Sequence, residues 1–285
     1  MEQQRASQTA IRVAVQRAAH QVLDGEPKIL NDRICVGLFP EASEAVLRDS
    51  ARHYHQPSMR RSRANYVLQS RFAEDRLEDA AKRGVSQFLL LGAGLDTFAY
   101  RQPKWAQSLR IIEVDHPASQ TYKIAMLRQA RAMVPENVSF FPIDFENENA
   151  TSSLASVPLD KNKRLFVSWL GVTQYVERKA LLETLRLIAG WSSESEIVLT
   201  YIKDDWSDLD DDARKSMVNS ESFAKASKEP WVSKLSPAGM ADLLSCAGFS
   251  QNQELGIDQA TQLYFGGRTD GLTPGGGNGI VWARS

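Results

Sequence analysis

The run QFLLLGAGLDTFAYR at residues 87–101 constrains the fold of this chain more than any other stretch. Phe88 to Leu91 form an apolar run of strand length that Gly92-Ala93-Gly94 breaks sharply, and Asp96 stands where a helix would start. Two glycines one residue apart let a backbone turn tightly and approach a ligand closely, because no Cβ intervenes. A helix N-terminus after such a turn points free amide N–H groups at the same place. A second apolar run, RIIEVD, ends at Asp115, roughly 20 residues after Gly94, the spacing at which nucleoside-binding α/β folds hold the ribose hydroxyls. The pattern predicts an adenosine-containing ligand.

The missing features narrow the choice. A dinucleotide fingerprint has a third glycine so that the helix can press against the strand beside the pyrophosphate, and here that position is Thr97. No G-x-x-x-x-G-K-[ST] phosphate loop occurs. A glycine turn with a ribose acid but no pyrophosphate equipment suits a nucleoside without phosphates, of which S-adenosylmethionine is the common one. Taken alone, a G-x-G plus an acid also reads as an ordinary strand-to-helix turn.

The 285 residues suffice for one large domain or two small ones. Lys plus Arg number 34 against 35 for Asp plus Glu, so no global field favours nucleic acid or an anionic membrane. The start, MEQQRASQTAIRV, lacks the apolar core of a secretory signal, and no apolar stretch approaches the ~20 residues of a membrane span. Cys35 and Cys246 lie far apart and read as isolated reduced thiols, not a disulfide framework or metal site. The expectation is a cytoplasmic protein without metal.

Residues 9–24 place apolar side chains on a broad helical face, and 40–83 read as further, Arg-rich helix interrupted at Pro57. From residue 86 the pattern alternates. Strands are expected at 87–91, 109–114, 138–142, 164–169, 196–202, 249–254 and 261–265, with helices near 96–104, 117–132, 177–190 and 237–247. Seven strands with intervening helices imply a mostly parallel sheet covered on both faces. The last two strands, separated by only Leu255 to Ala260, should be antiparallel. Residues 203–234 form an insertion, acidic first and amphipathic later, that reads either as a solvated excursion or as a lid over substrate. The glycine-rich tail around Gly275 to Gly277 reads as mobile.

With these motifs in order, the chain resembles the leucine carboxyl methyltransferase family in the broad sense, S-adenosylmethionine-dependent O-methyltransferases that include bacterial small-molecule enzymes. The resemblance rests on SQTAIRVAVQRAAHQVLD at 7–24, SRFAEDRL at 70–77, QFLLLGAGLDTFAYR at 87–101, EVDHP at 113–117, PIDFE at 142–146, WLGVTQYV at 169–176 and YFGGRTDGL at 264–272. It implies a Rossmann-like class I methyltransferase: one domain over 1–285, with 1–84 as a helical cap and 85–285 as the core. It also implies ligand roles. Arg71 would grip the cofactor's carboxylate, Gly92, Ala93 and Gly94 form the turn, Asp115 hold the ribose, and Asp144 with Phe145 recognise adenine. Asp96 would touch ligand or cap its own helix. Many members carry a glutamate where this chain has Leu170, in SWLGVTQYV. Its loss puts protein-carboxylate methylation in doubt and favours a small-molecule acceptor, with S-adenosylhomocysteine as coproduct and the protein a monomer or homodimer.

A carboxylate acceptor is already ionised at neutral pH, whereas a phenol or alcohol needs a base within hydrogen-bond reach. The candidates are His53 and His55 in HYHQP; His20 and His116 read as structural. Tyr175 and Tyr201 are candidate walls of the reaction pocket. Two rival readings remain. Tyr175 and Lys179 spell the Y-x-x-x-K pair of short-chain oxidoreductases, though too far from a mid-helix setting. A non-catalytic S-adenosylmethionine-binding module is the other, favoured by the lost glutamate.

Overall fold

The computed structural model describes residues 7–144, 150–192 and 194–285. The chain opens with α1 (Gln8–Leu23), then two short helices, α2 (Glu44–Asp49) and α3 (Ala51–Tyr54), and the long α4 (Pro57–Lys82). Ser7 caps α1 by accepting from the Ala10 N–H at 3.1 Å. Pro57 begins α4 instead of interrupting a helix, since a first-turn proline forfeits no intrahelical bond.

The core follows in the order β1 (Gln87–Leu91), β2 (Arg110–Asp115), α5 (Pro117–Gln129), β3 (Val138–Pro142), α6 (Ala150–Ala155), β4 (Leu165–Trp169), α7 (Arg178–Ala189), β5 (Glu196–Ile202), α8 (Asp211–Ala226), α9 (Pro237–Ala247), β6 (Gln251–Glu254), α10 (Ile257–Ala260) and β7 (Asn278–Arg284). The seven strands lie in the order β3-β2-β1-β4-β5-β7-β6. β1 to β5 pair in parallel, and β7 runs antiparallel to both β5 and β6. Every residue of β1, β4 and β5 is buried, as strands covered on both faces require, whereas β6, QNQE, forms a mostly exposed polar edge. The expected seven-stranded sheet with an antiparallel last strand is therefore present.

Two expected elements differ. Residues 261–265 form a π-helical turn, not a strand; Thr261, Gln262 and Leu263 are exposed and only Phe265 is buried. The seventh strand lies at 278–284, in the tail read as mobile, and takes an interior place in the sheet. Gly279 explains part of the composition there: a Cβ on it would stand 2.0 Å from the Tyr201 ring. Residues 96–104, expected as a helix, form two 3-10 turns, Phe98–Tyr100 and Lys104–Ser108, because Asp96 and Thr97 are bound elsewhere, as described below. The insertion carries α8, which packs along α4. No helix among the described residues is long and apolar enough to cross a membrane.

Candidate active site

A cavity of about 710 Å³ opens at the C-terminal ends of β1, β2, β4 and β5, where open α/β sheets bind ligands. Its floor is the turn after β1. Gly92 and Gly94 both have positive φ, +68° and +45°. A Cβ on Gly92 would meet Val172 at 2.4 Å, so the close approach of the turn to the segment after β4 depends on glycine. The Gly92 and Ala93 N–H groups donate to the Val114 carbonyl at 2.8 and 3.0 Å, continuing the β1–β2 pairing into the turn.

Asp115, the last residue of β2, completes this cradle. Its carboxylate accepts from the Gly94 N–H and, at 2.6 Å, from the His116 N–H. Burial pushes its pKa up, while these two donors pull it down. His116 caps α5 by accepting from the Ala118 N–H at Nδ1, 3.1 Å, which leaves Nε2 facing Asp144 at 4.0 Å. Asp144 lines the same cavity. The structure thus brings Gly92, Ala93, Gly94, Asp96, Asp115, Asp144, Leu170 and Tyr175 to one cavity. Phe145 lies outside the described residues.

The residues after the glycine turn anchor it. Asp96 accepts from the Phe98 N–H at 2.7 Å and lies 3.5 Å from Arg17 of α1. Thr97 donates to Asp32 at 2.5 Å, and Arg101 bridges Asp32 and Glu74 of α4. Asp32 is fully buried; burial raises its pKa, but Arg17 at 3.3 Å and Arg101 at 3.4 Å outweigh that and hold it below the usual range. The LDT-x3-R pattern is therefore a set of ties from the turn to α1 and α4.

Four expected residues are not in the cavity wall: Arg71, His53, His55 and Tyr201, whose hydroxyl instead donates to Glu254 at 2.6 Å. Arg71 is about half exposed on the other side of α4 and pairs with Asp75 at 2.7 Å. The α4 residues that face the cavity are Ser62, Asn65, Tyr66, Gln69 and Ser70. Gln69 is 5% exposed and makes no side-chain hydrogen bond among the described residues. His53 and His55 are exposed on and after α3, ahead of the part of α4 that reaches the cavity; His55 faces Arg60 at 3.3 Å. The buried cation on the cavity wall is Arg17, 3% exposed, which also donates to the Leu95 carbonyl.

The roof comes from α1 and the insertion. Ser7, Thr9, Arg12 and Val13 contribute from one side, and Met217, Phe223, Glu229 and Trp231 from the other. Glu229 joins them: it accepts from Ser7 Oγ at 3.0 Å, Gln8 N at 3.1 Å, Thr9 N at 3.4 Å and Thr9 Oγ1. A carboxylate there is favoured by the positive end of α1. The Tyr175 hydroxyl lies against Thr9, Trp231 and Gln174; burial and the charge of Glu229 push its pKa up. Lys179, by contrast, is exposed on α7. Sequence reading missed Thr9, Gln69, Glu229 and Trp231. Ser7 before a helical run was a visible cap signal, but nothing in the sequence links it to a carboxylate more than 200 positions away.

The leucine carboxyl methyltransferase family matches residues 10–189 of this chain. YktD of Bacillus subtilis, named as a candidate S-adenosyl-L-methionine-dependent methyltransferase, is 31% identical over 211 residues, covering 73% of this chain and 68% of its own. A similarly named Streptomyces coelicolor protein is 36% identical over 105 residues, 37% of this chain and 36% of its own. Among solved structures, a candidate methyltransferase from Thermobifida fusca superposes with a TM-score of 0.60 at 18% identity, covering 96% of this chain and 94% of its own. A DUF574-family protein from Streptomyces avermitilis gives 0.58 at 16% identity, covering 95% and 96%. At these identities the structural likeness speaks to the fold.

Proposed function

Because the chain belongs to the leucine carboxyl methyltransferase family, we propose that it is an S-adenosylmethionine-dependent O-methyltransferase whose acceptor is a small molecule bearing a hydroxyl or carboxylate. Methyl transfer from S-adenosylmethionine follows from the family; the acceptor and the methylated atom are our proposal. The observation that carries it is the Asp115–Gly94 cradle, a half-buried carboxylate at the tip of β2 beside a positive-φ glycine turn, opening on a cavity. The residues present fit the cofactor. Asp115 offers acceptors to ribose hydroxyls, Asp144 an acceptor to the adenine amine, and the sterically required Gly92 leaves the turn bare for close approach. For the amino-acid end we assign Arg17 and Gln69, which line the cavity, the role that the family resemblance gave to Arg71.

Bound there, the cofactor supplies an electrophilic methyl on a sulfonium. The chain's task is to align an acceptor oxygen with it and exclude water. The 710 Å³ cavity lies in the range of small-ligand sites. Roofing by α1 and the insertion favours a compact acceptor over a folded protein's terminus, as does Leu170 in place of a carboxylate. We read residues 1–84 as a cap on a single domain. The second reading, a binding module without turnover, draws on Leu170 alone. Calorimetric titration should give S-adenosylhomocysteine a Kd on the order of 1 μM, about −8 kcal/mol, with NAD much weaker. Tighter binding of NAD overturns the assignment, and methylation of any member of a phenol and carboxylic acid panel removes the binding-module reading.

A further inference from the structure

We propose that Asn65 selects the methyl acceptor, favouring a hydroxyl compound that also carries a neutral carbonyl oxygen over one that carries a carboxylate. The inference rests on the methyltransferase reading above and names the chemistry of the acceptor within it. Asn65 lies on the face of α4 that lines the cavity, between Gln69 and Ser62. At the helical rise it stands about 6 Å from Gln69 along the axis. In the other direction Ser62 meets Ser216 of α8, in the roof, at 2.7 Å. Asn65 therefore falls between the end of the cavity assigned to the cofactor and the roof, where an acceptor has to sit.

The amide has a fixed sense. Its Oδ1 accepts from the Gly275 N–H at 2.9 Å, so the Nδ2 end is the donor. Nδ2 donates to nothing among the described residues, although Asn65 is only 9% exposed, and the atom is not sealed in protein. A ligand oxygen satisfies this donor, whereas a ligand that covers it with carbon leaves it unpaired. The glycine-rich segment before β7 sets the arrangement. A Cβ on Gly275 would stand 2.5 Å from Nδ2, and one on Gly277 2.4 Å from Cγ of Met217, which also lines the cavity. Carboxylates find no matching cation here. Of the cavity cations among the described residues, Arg17 is paired with Asp32, Lys228 is exposed, and Arg12 lies over the Phe223 ring at 4.6 Å and donates to the Asn219 carbonyl at 3.4 Å. A neutral amide donor pairs with a carbonyl but does not offset the desolvation of a carboxylate.

The test measures kcat/KM of the full chain, N65D and N65A on hydroxyacetophenones, ethylphenols and hydroxybenzoates, each as ortho, meta and para isomers. Hydroxyacetophenones should outperform hydroxybenzoates with the unaltered chain. N65D keeps an oxygen for the Gly275 N–H and puts a second oxygen where the donor was. In both variants kcat/KM on the best hydroxyacetophenone should fall roughly tenfold further than on the matching ethylphenol, which lacks the carbonyl oxygen. The different acidities of the two phenols cancel in that comparison. Calorimetric affinity for S-adenosylhomocysteine should stay essentially unchanged. Equal losses on the two phenols would show that Asn65 serves only the glycine segment, or a water in the cavity of about 20 Å³ that it also borders, and would overturn the proposal. So would a preference for hydroxybenzoates, or turnover of none of these compounds by a chain that binds S-adenosylhomocysteine. Failure of the unaltered chain to bind S-adenosylhomocysteine would overturn the methyltransferase reading itself, and this inference with it.

Discussion

Gly92 illustrates how single positions control this site: its φ of +68° and the 2.4 Å approach of Val172 leave no room for a side chain. Gly92→Ala should cost roughly 1–3 kcal/mol of stability in a urea melt and weaken cofactor binding, through strain and overpacking together. Asp115→Ala should weaken S-adenosylhomocysteine binding by about 1.5–3 kcal/mol, the loss of charge-assisted hydrogen bonds; unchanged calorimetry in a folded mutant would reject its ribose role. Arg71→Ala should bind S-adenosylhomocysteine as the parent does, since Arg71 pairs with Asp75 away from the cavity. Residues fixed by local geometry were legible in the sequence. The glycine turn and Asp115 follow from strand ends and spacing. Arg71 was not legible because the rotation of α4 is set by the core that buries its own Leu68, Phe72 and Leu77, which turns Arg71 away from the cavity.

At the scale of elements, α1 is tied to α4 by a buried cluster. His20 Nδ1 donates to Asp24 at 2.9 Å, its Nε2 accepts from the Ile29 N–H at 3.1 Å, and Arg63 forks onto Asp24 at 2.7 Å through both nitrogens. These partners fix a neutral imidazole, and burial lowers its pKa below the usual 6.5 despite Asp24. The unfolded chain therefore takes up a proton that the folded one resists. The contribution of His20 to stability is full above about pH 6.5 and erodes as pH falls below it, by at most about 1.4 kcal/mol per pH unit. In urea melts between pH 7 and 5, His20→Asn should show a shallower pH dependence than the parent; parallel curves would exclude His20 as the source. Elements with strong periodicity or caps, such as Pro237–Ala247, were legible to the residue. Strand β7 was not. Its glycine-rich lead-in mimics a flexible tail, and only the packing of Gly279 against Tyr201 reveals why glycine is required.

For the molecule as a whole, β7 joins the edge strand β6 to the parallel sheet and covers the open side of β5, because β5 and β6 meet only through it. Truncation before Asn278 should abolish the cooperative thermal transition followed by circular dichroism, an outcome opposite to that expected of a mobile tail. The parallel sheet and its closing hairpin-like edge were legible as a class from strand count and alternation, whereas the strand that closes it required tertiary information. The cavity's two halves also come from different stretches of chain. The floor, with Gly92, Asp115 and Leu170, lies inside the residues shared with the family, and Glu229, Trp231 and α8 lie outside them. Substitutions in the latter reach the acceptor side of the cavity first, because the ties of the glycine turn to Asp32 and Glu74 are internal to the shared stretch. Inheritance can therefore keep one donor chemistry constant while descent with modification redraws the list of compounds it is spent on.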